Sequence, residues 1–126
     1  LLRFFSGSPI KNFFKTSMSH TDDVVTIQLI FENGSMGTIH YFSNGDRSLS
    51  KERLEIYFDG KVLQLDNFKI LRGYGVKGFK KKKLIRQDKG QTNCMHAFIN
   101  SIQTGQPPIP YEQIIEVSEV TIKLSK

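Results

Sequence analysis

Residues 24–42 constrain the fold more than any other stretch. Val25, Ile27, Leu29 and Phe31 alternate with Thr26 and Gln28, the period-two pattern of a strand with one apolar face. Glu32-Asn33-Gly34-Ser35 follows, and Asn-Gly supplies the positive φ angles of a tight hairpin turn. Met36–Phe42 is then the return strand. A hairpin specified this firmly commits the chain to an antiparallel sheet, and the neighbouring segments supply further strands. Phe13–Met18 reads as a strand ahead of the hairpin. Leu54, Ile56 and Phe58 alternate with Arg53, Glu55 and Tyr57, and Asp59-Gly60 turns the chain into Val62–Leu65. Phe68–Arg72 and the lysine-rich Phe79–Arg86 read as two more. Short turns between successive strands make the pairing antiparallel, with five to seven strands expected.

The period then changes. Met95, Phe98, Ile99 and Ile102 fall at i, i+3, i+4 and i+7, one stripe of a helix. Gly105 stands at its C-cap, and Pro107 and Pro108 forbid continuation. Pro110 suits the first position of a second helix over Tyr111–Lys126. Leu1–Phe5 reads as the end of a helix that begins before residue 1. The class expected is α+β, a mainly antiparallel open sheet with helices packed on one face. With 126 residues, the chain is read as a single domain, 1–126.

Composition bounds the function more than it names it. The apolar fraction of 38% and charged fraction of 24% are those of a soluble globular protein. No apolar run approaches the ~18 residues of a spanning helix, so no membrane is expected. The one cysteine, Cys94, excludes an internal disulfide framework and fits a cytoplasmic, reducing setting. The net charge of +6 is local: Lys77, Lys80, Lys81, Lys82, Lys83, Arg86 and Lys89 are opposed there only by Asp88. Lysines blunt exposed sheet edges, whereas nucleic-acid binders spread basic residues over a face with stacking aromatics. The run is therefore read as an edge guard, with polyanion binding the alternative and nucleic acid unlikely as a partner.

Other candidate motifs are weak. Gly73-Tyr74-Gly75-Val76-Lys77-Gly78 matches G-x-G-x-x-G, but the next stretch, Phe79–Ile85, has no helical stripe, and no acidic residue stands ~20 positions on. A glycine-rich turn between strands is the better reading. His20, His40 and His96 have no metal-ligand spacing, and Cys94 and His96 fall on different helix faces.

One family fits the whole layout. Leu1–Gly7 resembles the helix end that follows a His/Asp catalytic segment, and Asp22-Asp23-Val24 through Phe31-Glu32-Asn33-Gly34-Ser35-Met36-Gly37-Thr38-Ile39 resembles a characteristic hairpin. Lys51-Glu52-Arg53-Leu54, Asp88-Lys89-Gly90, Ala97-Phe98-Ile99 and Gly105-Gln106-Pro107-Pro108-Ile109-Pro110 continue the match in order. Together they resemble the C-terminal domain of the Gfo/Idh/MocA oxidoreductases, the group of glucose–fructose oxidoreductase and inositol dehydrogenase. Asp88-Lys89-Gly90 is similar to members acting in surface-polysaccharide synthesis, although these often place His where this chain has Gln91.

The resemblance implies a two-domain enzyme acting on a sugar, nucleotide sugar or cyclic polyol. NAD or NADP and the catalytic lysine belong to a Rossmann domain ahead of Leu1, so no catalytic or cofactor-binding residue carries over. The 126 residues alone are expected to be inactive and to bind no nicotinamide cofactor. The resemblance also implies a homo-oligomer formed through the sheet, with Phe42, Tyr57, Phe68 and Phe79 as apolar contacts. The polar loop Ser43–Lys51 follows a rigid strand and is expected to meet substrate through Asn44, Asp46 and Arg47. Lys89 and Gln91, beside the start of the next helix, are expected to meet a carboxylate or phosphate there.

Overall fold

The computed structural model describes residues 1–21 and 23–125. Asp22, the first residue of the hairpin match, lies outside the described residues. The elements run α1 (Leu2–Ser6), β1 (Ile10–Ser17), β2 (Val24–Phe31), β3 (Met36–Phe42), β4 (Arg53–Phe58), β5 (Lys61–Asp66), β6 (Ile70–Tyr74), β7 (Lys81–Lys83), α2 (Gln91–Thr104) and α3 (Tyr111–Leu124). The class is α+β, and every strand pair is antiparallel. The seven strands form two open sheets, β1-β2-β3 and β4-β5-β6-β7. The chain divides into two compact units: residues 1–45 with 101–126, and residues 46–100.

In the first unit, the apolar face of β2 is the core. Val25, Leu29 and Phe31 are its buried hydrophobic residues, with Phe31 only 2% exposed. The hairpin forms where expected, but its turn differs. Phe31 N–H donates to the Ser35 carbonyl at 2.9 Å and Gly34 N–H to the Phe31 carbonyl at 3.0 Å, enclosing three residues. Only Gly34 is left-handed, with φ 84°. Asn33 keeps a negative φ, and its side chain is engaged: Oδ1 accepts from Ser35 N–H at 3.0 Å, and Nδ2 donates to the Ser6 carbonyl. The buried Ser8 hydroxyl accepts Asn33 N–H at 3.1 Å, tying the turn to the segment after α1.

Helix α1 ends at Gly7, left-handed at φ 64°, and its Leu2 side chain lies on Gly37 of β3. A Cβ at Gly37 would stand 2.8 Å from Leu2 Cδ1, the movable end of that side chain. Helix α3 lies against β1 through Glu116, which accepts from the Ile10 N–H and pairs with Arg3 Nε at 2.9 Å. Pro110 stands at the N-cap of α3, with φ −55° and ψ 137°, one residue earlier than expected. Its extended ψ keeps it outside the helix that its fixed φ introduces.

In the second unit, Asp59 and Gly60 take φ 46° and 69°, the two-residue turn expected between β4 and β5. Strand β6 begins two residues later than the sequence pattern indicates. Asn67 and Phe68 both adopt left-handed φ, 51° and 49°, and Lys69 N–H closes the turn on the Asp66 carbonyl at 3.0 Å. Strand β7 is three residues rather than eight, because its partner β6 is short: pairing runs from Arg72↔Lys81 to Ile70↔Lys83 and then ends.

One face of this sheet is apolar, with Leu54 and Ile56 on β4, Leu63 and Leu65 on β5 and Leu71 on β6. The other carries a polar network along one cross-strand row. Glu55 on β4 accepts from Gln64 Nε2 at 2.9 Å, from Arg53 at 2.6 Å and from Tyr57 Oη at 2.9 Å. These bonds, Gln64 foremost, hold its carboxyl down at about 2. A residue-resolved NMR titration is expected to place the Glu55 midpoint there. Gln64→Leu is expected to raise it toward the usual 4.5. A wild-type midpoint near 4.5 would mean the network is not formed in solution.

Candidate functional site

Three segments of the second unit converge on a depression of about 350 Å³. The 46–52 loop supplies Arg47, Ser48, Ser50, Lys51 and Glu52, the β5–β6 turn supplies Asn67, and the approach to α2 supplies Gln87 and Lys89. The segments are tied to one another by hydrogen bonds. Asn67 N–H donates to the Glu52 carbonyl at 2.6 Å, and Asp88 N–H to the Phe68 carbonyl at 3.1 Å. Gln87 Nε2 donates to Asn67 Oδ1 at 2.7 Å. Lys89 Nζ reaches Glu52 Oε1 at 3.3 Å, an exposed pair worth at most ~1 kcal/mol.

The expected site residues separate into two kinds. Arg47 and Lys89 are brought together here, although 42 positions apart in the chain. Asp46 instead builds the loop: its Oδ1 accepts Ser48 N–H at 2.8 Å. The hydrogen bonds from Ser48, side chain first and then backbone, hold the Asp46 carboxyl below its usual range. Asn44 lies in the turn after β3, exposed, in the first unit. Gln91 is the first residue of α2, exposed and outside the lining. Lys89 is matched by Glu52, whereas Arg47 and Lys51 have no carboxylate partner among the described residues. The depression therefore offers two uncompensated cations, Arg47 and Lys51, amid hydroxyl, amide and carboxylate groups, a set that hydrogen-bonds hydroxyl-rich or anionic ligands.

Glu52, Asn67 and Gln87 were not expected at this site. Asn67 is placed by the left-handed turn at 67–68 and Glu52 by its pairing with Lys89, 37 positions away. No sequence spacing announces either.

A second depression, of about 510 Å³, lies at the glycine segment, lined among others by Arg72, Tyr74, Lys77, Phe79, Lys80 and Lys81. The segment connects β6 to β7, and Gly75 and Gly78 are left-handed at φ 70° and 77°. No helix begins there, so the segment does not fit the pyrophosphate of NAD or NADP in the way the fingerprint requires.

Among the described residues, no three His, Cys, Asp or Glu side chains gather to hold a metal ion. Nor is any helix among them long and apolar enough to cross a membrane. No protein-family model, curated protein or solved structure matches the chain.

Proposed function

We propose that the chain is the substrate-side part of a nicotinamide-dependent oxidoreductase of the Gfo/Idh/MocA kind, acting on a sugar, nucleotide sugar or cyclic polyol. Its role is to present the Arg47–Lys89 depression to the substrate. The observation that carries this reading is the makeup of that depression: Arg47 and Lys51 without counter-charges, among Ser48, Ser50, Asn67 and Gln87. Sugar hydroxyls both donate and accept, and amide and hydroxyl side chains answer both demands. The unmatched guanidinium favours a carboxylate or phosphate on the sugar. In this reading NAD or NADP and the reacting groups belong to a Rossmann unit ahead of Leu1. The reading also includes a homo-oligomer, for which Tyr57 (71% exposed) and Phe42 (56% exposed) offer apolar area.

The test of the substrate part is titration of the 126-residue chain with a hexuronate and a neutral hexose, followed by NMR. Millimolar hexuronate is expected to shift amides of residues 47–52 and 87–89. Arg47→Ala is expected to weaken that binding about tenfold, the loss of one charge-assisted contact. Gln91→Ala is expected to leave it unchanged. No response at 47–52, or equal losses in both variants, overturns this part. The oxidoreductase part fails separately if the coding sequence ahead of Leu1 lacks a strand–turn–helix dinucleotide unit.

A further inference from the structure

The charge of this protein is unevenly placed. Residues 46–100 carry thirteen of its 18 lysines and arginines but six of its 12 carboxylates. Within that unit, the register sets Arg72 of β6 directly opposite Lys81 of β7. Facing side chains in such a pair have Cβ atoms ~5 Å apart, and like charges there are destabilising. Nothing in the described residues relieves the repulsion. Arg72 Nη1 reaches only the neutral Gln64 Oε1, at 3.4 Å. The nearest carboxylate along the row, Glu55, is committed to Gln64, Arg53 and Tyr57. Lys77, Lys80 and Lys81 have no ion-pair partner among the described residues.

An edge guard does not account for this arrangement. Blunting β7 calls for lysines on the outer strand, not for an arginine held face to face with one of them on the inner strand. The same place is concave. The depression of about 510 Å³ takes Arg72, Lys77, Lys80 and Lys81 into its lining together with Tyr74 and Phe79. The Phe79 ring is seated on Gly73, where a Cβ would stand 2.7 Å from its Cδ1. Phe79 thereby packs on the Leu71 face of β6, which leaves Arg72, Tyr74 and Lys81 together on the other face.

The geometry points to a binding site at the β6–β7 connection for a phosphorylated small molecule, with its phosphate between Arg72 and Lys81 and its ring portion against Tyr74. An anion there turns the facing cations from a cost into two charge-assisted contacts. The Tyr74 ring beside it takes an apolar or planar moiety. The site grips by side-chain charge on strands, without a helix N-terminus. It does not depend on the Arg47 depression or on the oxidoreductase reading.

The probe is inorganic pyrophosphate, titrated by calorimetry into the intact chain at low and moderate salt. One-to-one binding is expected, weakened about tenfold by Lys81→Ser and by Arg72→Gln. Lys82 pairs with Leu71 and points to the opposite face, so Lys82→Ser is expected to leave affinity within about twofold, the change left by charge screening alone. Without ligand, Arg72→Gln is expected to raise the melting temperature, whereas pyrophosphate is expected to raise that of the wild type and not of the variant. Absence of pyrophosphate binding overturns the proposal. So does a Lys82→Ser loss equal to that of Lys81→Ser, which would mark a diffuse charge field. Binding of duplex DNA with a steep salt dependence, without binding of pyrophosphate, also overturns it and assigns the patch to a polyanion.

Discussion

Replacing Glu116 with alanine is expected to destabilise the first unit by about 3 kcal/mol, read as a lowered urea midpoint with an unchanged slope. The carboxylate serves two partners at once, the Ile10 N–H and the Arg3 guanidinium. Its side chain is 22% exposed and that of Arg3 12%. Removing it leaves a charged donor and a backbone donor without acceptors, which costs far more than an exposed ion pair contributes. Few other contacts make up the loss, since Val25, Leu29 and Phe31 are the buried hydrophobic residues described. Burial pushes the Glu116 carboxyl up, but the Ile10 N–H and Arg3 together outweigh it, so it sits below its usual 4.5. A carboxyl lowered in the folded state adds stability above pH 4.5, and that stability is lost as pH falls through 4.5 toward the folded value. The wild type is therefore expected to lose stability across that window, and Glu116→Gln to be flatter. If both variants unfold at the wild-type urea midpoint, the contact between α3 and β1 is not a source of stability.

The second large effect is expected at Gly75. Its φ is +70°, and an added Cβ would lie 2.9 Å from the carbonyl oxygen of Gly60, a backbone atom with no rotamer to yield. The left-handed conformation costs a residue with a Cβ about 1–2 kcal/mol. Displacing the β4–β5 turn adds about 1–3 kcal/mol. Gly75→Ala is thus expected to cost about 3 kcal/mol. Gly78 is the control: its φ is +77°, but nothing lies within 4 Å of the Cβ position. Gly78→Ala is expected to cost only the backbone share, about 1 kcal/mol. Equal costs measured by urea unfolding would mean that the approach of Gly75 to Gly60 carries no energy.

The elements easiest to read from sequence were those whose signal is local. Alternation in Val24–Phe31 and a glycine after Asn33 were enough to place β2 and β3 to the residue. The stripe Met95, Phe98, Ile99 and Ile102 ending at Gly105 placed α2, and Gly105 is left-handed at φ 68°. What local patterns miss is set by partners. Phe68 adopts φ 49°, which nothing in its residue type announces, and the start of β6 moves with it. The division of the strands into two sheets also lies outside local pattern, because alternation fixes a strand's faces and not its neighbours. At the candidate site, Arg47 and Lys89 were legible as cations beside a loop and a helix start. Glu52, Asn67 and Gln87 were not, since only the folded register brings them there.

Glu116 also sets an order in time. It reaches the Ile10 N–H across 106 residues of chain. At roughly 5–20 residues per second of synthesis, β1 waits on the order of 5–20 s for the residue that completes it. Residues 46–100 are continuous in the chain and need nothing from α3, so they are free to fold within that interval. The nascent protein is then a finished insert flanked by an unfinished host whose first strand still offers an open edge to other chains. Crowding, slowed translation or loss of residues after 110 endangers the strand made first, long before it touches the helix made last.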